Sequence, residues 1–127
     1  MGHNHEQGSQ AMQSIVPDGY RIWRVCNYTD LRKSIDGLFD IADLQYGVSP
    51  MEKNAFLFCG RRCDRVKVFY YMKESYHLHY IRASEVRYQW PRKEKELWEL
   101  NREQMERLLS GDRISREHAA TIIPSRI

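Results

Sequence analysis

The chain has no apolar run approaching the roughly 20 residues that a bilayer-crossing helix needs, and its polar start, Met1 to Gln10, has none of the apolar core of a secretion signal. Both absences predict a soluble protein of the cytoplasm. Cysteine is scarce as well: Cys26, Cys59 and Cys63 cannot all pair with one another, which suits a reducing compartment. Cys59 and Cys63 could face each other across a hairpin, against the plainer reading of two reduced, partly buried thiols. Without any C-x-x-C spacing, a structural zinc site is not expected.

Catalytic constellations are missing too. A nuclease needs several carboxylates converging on divalent metal. Asp36, Asp40 and Asp43 share a helical face, but Asp30 lies almost two turns away, and Asp64 sits among arginines, where an ion pair suits it better than magnesium. No serine or cysteine is flanked by a nucleophile elbow. His77 and His79 point the same way along a strand and could meet Cys59 or Cys63 at a metal, but a polar sheet face explains them as well. The expectation is a protein with no enzymatic activity and no cofactor.

What the chain does have is unevenly placed charge. The 127 residues carry a net charge of +3. Residues 59–95 hold ten Lys/Arg against four Asp/Glu, whereas residues 1–58 hold five against seven and residues 96–127 five against six. A basic surface confined to the middle third points to a polyanion partner more strongly than the whole-chain charge does. Its focus is Phe56–Tyr71, in which two β-type runs flank Gly60 and bring Arg61, Arg62, Arg65 and Lys67 together.

Residues 1–17, rich in Gly, His, Asn, Gln and Ser, read as a flexible leader in which His3 and His5 offer at most a loose metal site. Tyr20 to Val25 reads as a strand. Thr29 or Asp30 then caps a helix over about 30–45, with Leu31, Ile35, Leu38 and Ala42 as its buried stripe, and with Gly37 implying close packing on the sheet or a kink. The hairpin follows, then β-type runs at Tyr76–Ile81 and Glu85–Trp90, with Pro91 ending the second. Leu97–Leu100 reads as a short extra strand. Asn101 with Gln104 three residues on forms a capping box for a helix closed by Ser110-Gly111. A partly ordered tail with one helical turn near Ser115–Ala120 is expected beyond it.

These elements predict a single α+β domain over residues 18–111, followed by a tail over 112–127. In it, an antiparallel meander of about five strands packs on one main helix, and the short C-terminal helix covers an edge or end. Charge and pattern leave the basic hairpin two partners, nucleic acid or an acidic protein surface. Guanidinium groups fork onto phosphate oxygens, and a β-ribbon can lie along a groove. Arg32 and Lys33, in the first turn of the expected helix, form a secondary patch. Tyr70, Tyr71, Tyr80, Tyr88 and Trp90 could stack on bases, although aromatic residues at period two are more often core or cross-strand pairs.

Three blocks carry a resemblance: Cys26–Leu38, Phe58–Tyr71, and Tyr88-Gln89-Trp90-Pro91. In this order and spacing they resemble the Orf2-like accessory proteins, called TnpB, of the insertion sequence 66 family of bacterial transposable elements, from about Tyr20 to about Gly111. The resemblance implies an accessory protein of DNA transposition that acts with a separately encoded transposase. Its partners would be that transposase and element-end DNA, the latter bound by Arg61, Arg62, Arg65, Lys67, Arg32 and Lys33. The alternative is an adaptor that binds the transposase without touching DNA. Such proteins usually have Gly at the position of Asn27, and Arg or Gly at that of Cys63.

Overall fold

Six consecutive residues, Asn54–Cys59, are all buried. A strand without alternation has both faces covered, and this one lies inside the sheet. The structure, a computed structural model, describes residues 15–127. Its strands are β1 (Arg21–Val25), β2 (Asn54–Cys59), β3 (Arg65–Met72), β4 (Ser75–Arg82), β5 (Glu96–Leu100) and β6 (Ile122–Pro124), arranged in the order β4-β3-β2-β1-β5-β6.

The α+β class stands, but the meander covers only β2, β3 and β4. β1 runs parallel to β2, from Arg21 opposite Asn54 to Arg24 opposite Leu57, and antiparallel to β5 on its other side. Parallel neighbours need a long crossover, which is the job of the segment between them. It contains α1 (Ile35–Asp40), which runs on into a wider π-helical turn, Ile41–Gln45. This helix starts later than expected. Ser34 is the cap, its Oγ accepting from the Gly37 amide at 3.5 Å, because Thr29 is held by the sheet and Asp30 is engaged by Arg32. Gly37 faces the Lys33 side chain and not the sheet.

The expected strand over Glu85–Trp90 does not form among the described residues. Tyr88 and Trp90 are buried and their neighbours Arg87 and Gln89 exposed, which imitates strand alternation. Their bonds go elsewhere: the Tyr88 amide donates to the Cys63 carbonyl at 2.8 Å, and the Trp90 indole N–H to the Val25 carbonyl at 2.8 Å. The segment crosses one face of the sheet and closes a core there. The α2 helix (Arg102–Leu109), with the expected Asn101–Gln104 capping box, also lies on that face and not at an edge. Its Met105 and Leu108 join Ile22, Leu57, Val68 and Leu100.

The opposite face carries Trp23, Phe56, Phe58, Phe69 and Leu97 beneath Leu38, Ala42 and Tyr46 of the crossover. The result is three layers. At the start of the chain, residues 1–14, with His3 and His5, lie outside the described residues. Val16 is fully buried, and Arg102 donates to the Val16 and Pro17 carbonyls. At the other end, a 3₁₀ turn at Arg116–His118 leads to β6, which pairs with β5.

Asn27 ends β1's run with φ 72° and its side-chain oxygen accepting from the Tyr28 amide at 2.8 Å. Left-handed backbone is open to Gly and tolerated by Asn. Asn27→Gly is therefore expected to leave stability within about 0.5 kcal/mol, and Asn27→Ala to lower it by about 1 kcal/mol, as read from urea denaturation of the purified variants.

Candidate functional site

Because β1 and β2 run parallel, their carboxyl ends emerge side by side. The loop after β1 and the turn after β2 are therefore neighbours, although some 30 residues separate them in the chain. The Thr29 amide ties the two by donating to the Cys59 carbonyl at 2.9 Å. Gly60 lets them approach, since a Cβ there would stand 3.2 Å from Leu31 Cδ1.

The turn itself is braced. The Cys63 amide, at a residue with φ 58°, donates to the Gly60 carbonyl at 3.0 Å. From the far side, Arg87 donates to the Arg62 carbonyl at 2.6 Å, and the Ala83 amide to the Asp64 carbonyl at 2.8 Å. A turn held at so many points presents its side chains in a fixed direction. Between it and the β1 loop opens a cleft of about 980 Å³, with Arg32, Arg61, Arg62, Arg65 and Lys67 among its walls and Leu78 and Tyr80 of β4 on its floor.

The structure thus brings five of the six expected basic residues into one cleft. It does not treat them alike. Arg61 and Arg62 are exposed and make no ion pair with a described residue. Arg65 lies 3.7 Å from Asp64, with its Nε buried and without a hydrogen-bond partner. Arg32 is clamped by Asp30 through two guanidinium bonds of 3.0 and 2.9 Å, and these, followed by the bond from the Arg32 amide at 3.0 Å, hold the Asp30 carboxyl well below the usual carboxylate range. The Lys67 ammonium donates to the Leu31 carbonyl and so crosses the cleft. Lys33 is the exception: it borders a smaller hollow with Gln45, Tyr46 and Lys95.

The two histidines lie on the other face of β4, engaged with Tyr70. His79 Nε2 is 3.1 Å from the Tyr70 hydroxyl, and His77 stacks on the ring at 4.9 Å. Burial, then the neighbouring His77, depresses the His79 pKa. Cys59 and Cys63 are free thiols, and burial pushes the Cys59 thiol up. Among the described residues no three His, Cys, Asp or Glu side chains gather as a metal site would require.

Sequence reasoning passed over Tyr28 and Leu78 as cleft residues, and took Tyr80 only as a candidate for base stacking. A signal existed for the last two, since they share a strand face with Lys67, which Tyr80 directly opposes. It also passed over Arg24, which is fully buried between Trp90 and Trp98, its guanidinium carbon 4.9 and 5.3 Å from their rings. Arg24 donates to the Ile114 and Gln89 carbonyls at 3.1 and 3.2 Å, and burial pushes its pKa down to about 10.

Residues 20–119 match a protein family described as IS66 Orf2 like protein. The chain belongs to that family. It is accordingly an accessory protein associated with transposition of insertion sequences. No curated protein and no solved structure matches it. In this Orf2-like protein both halves of the cleft fall within the matched residues.

The unequal bonding of the cleft cations has a measurable consequence. Lys67→Met is expected to lower stability by about 1 kcal/mol by removing a charge-assisted bond between the cleft walls, whereas Arg61→Ala and Arg62→Ala stay within about 0.5 kcal/mol of the parent. Thermal and urea unfolding of the three variants checks both.

Proposed function

We propose that this Orf2-like protein acts with the transposase of its element by binding element-end DNA in the cleft between the β1 loop and the β2–β3 turn. The observation that supports this reading most is the pair Arg61 and Arg62, exposed on a braced turn and without a carboxylate partner among the described residues. Held cations with no internal counter-ion favour an external anion, and the guanidinium fork matches phosphate oxygens. Arg65 stands behind them, and Lys67 adds positive potential while tethering the walls. The role is one of binding, with no catalytic step assigned to it.

Arg32 and Lys33 have lesser parts. Asp30 stays ionised down to unusually low pH and keeps hold of Arg32, so Arg32 offers its remaining donors only. Lys33 lies round the corner of the loop. A second reading is favoured by Leu78 and Tyr80: their exposed surface beside the arginines also suits an acidic face of the transposase, with no DNA contact.

Salt-dependent DNA binding by the purified protein tests the proposal. Each phosphate contact contributes about 0.9 to the slope of log affinity against log salt, so Arg61→Ala/Arg62→Ala/Arg65→Ala should flatten it by roughly 2–3 units. Asp30→Asn, which releases Arg32 and removes a negative charge, should instead tighten binding severalfold. Affinity and slope unchanged in the triple variant, with transposase capture lost, would establish the adaptor reading.

A further inference from the structure

β4 closes one end of the sheet with eight residues, Ser75–Arg82, every one of them paired to β3 on the inner side. No described strand pairs with its outer side. The direction of its backbone groups follows from the turn that precedes it. Lys73 and Glu74 both have left-handed φ, 52° and 63°, as in a two-residue hairpin turn. There the flanking pair, Met72 and Ser75, exchanges the closing hydrogen bonds. Ser75, His77, His79 and Ile81 therefore bond inward to β3, and the Ala83 amide keeps the same phase by donating to the Asp64 carbonyl. Tyr76, Leu78, Tyr80 and Arg82 turn their N–H and C=O groups to the open edge.

Protein edges are normally protected by Pro, a bulge, or an inward Lys or Glu. Between Tyr76 and Ile81 there is no proline and no Lys, Arg, Asp or Glu, and the register with β3 is unbroken. Three of the four outward-bonding residues carry apolar or aromatic side chains, and these are exposed: Tyr76 at 45%, Leu78 at 37% and Tyr80 at 55%. At the strand's end, Arg82 stands directly opposite Arg65, a like-charge cross-strand pair that costs stability, and it makes no ion pair with a described residue. Glu74, at the other end, makes none either.

We infer that this edge pairs with the β4 edge of a second copy of the chain, antiparallel and with the two-fold axis through Leu78. That register sets Leu78 on Leu78 and Tyr76 against Tyr80, joining outward-bonding residues throughout, as a self-complementary interface must. It also sets Glu74 against Arg82 twice, which supplies a carboxylate to Arg82, whose cross-strand neighbour Arg65 already has Asp64. A neighbouring register with the same phase, centred on His79, would bring Tyr76 to Arg82 and leave Glu74 unmatched, so charge selects Leu78. The axis stands perpendicular to the sheet, the two sheets become one, and the two basic clefts open on the same side of it.

Sedimentation of the purified full chain at about 100 µM, where a Kd near 10 µM leaves most protein paired, tests this. The parent is expected to sediment as a dimer. Glu74→Arg, which sets arginine against arginine, should weaken pairing about tenfold or more, and Glu74→Arg/Arg82→Glu should restore it. Leu78→Pro removes only an outward donor and should give a monomer with a folded circular dichroism spectrum. If that proline unfolds the chain, the charge exchange decides alone. A monomeric parent, or a dimer that Glu74→Arg does not weaken, overturns the inference.

Discussion

The parallel pairing of β1 with β2 organises this protein. It forces a crossover, and the crossover supplies the α1 layer. It leaves the other side of β1 free for β5, which puts the C-terminal part of the chain in the same sheet. Above all, it aligns the two carboxyl ends, so that a loop rich in polar anchors and a turn rich in arginine share one cleft. The Thr29–Cys59 bond and the Lys67–Leu31 bond are the local expressions of that alignment. Without it the hairpin would present its cations alone.

The opposite layer depends on a different device. Arg24 carries a charge, with no ion pair to a described carboxylate, into a site where it has no exposed surface. Desolvation of that kind is costly and needs compensation. Two carbonyls and two indole faces provide it, and those groups belong to three separated segments: Gln89 and Trp90, Trp98, and Ile114. The guanidinium thereby fastens the extended 83–95 segment and the chain after α2 to the sheet. A pKa near 10 leaves it charged at neutral pH, so the clasp persists under ordinary conditions.

What could be read from sequence was what depends on near neighbours. The hairpin around Gly60, the capping box at Asn101 and the basic excess between 59 and 95 are all local, and the apolar stripe of Leu38 and Ala42 repeats at helical spacing. The β1–β2 pairing is not local: nothing in Tyr20–Val25 says which strand it adjoins or in which direction. Tyr88 and Trp90 misled because alternation reports burial of every second residue, whether or not a ladder forms. Ser34 displaced Thr29 as the helix cap because Thr29 is tied to the end of β2 and a separate turn, closed by the Lys33 amide on the Asp30 carbonyl, intervenes before the helix, a tertiary arrangement invisible in the helix's own sequence. The departures from the resembling proteins become intelligible in three dimensions: Asn27 and Cys63, which stand where Gly is common, both have positive φ.

For function, the charge cluster was legible, but the division of labour within it was not. Arg32 and Arg61 look alike in sequence, yet one is neutralised by Asp30 and the other is unpaired among the described residues. The proposed function requires the β1 loop and the β2–β3 turn to act as one anion-binding cleft. Backbone amide NMR of the isotope-labelled protein, titrated with element-end duplex at moderate salt, tests it most directly. Signals of Tyr28–Arg32 and Gly60–Arg65 are expected to shift together with a single apparent affinity. Saturable binding that leaves either segment unmoved would contradict it.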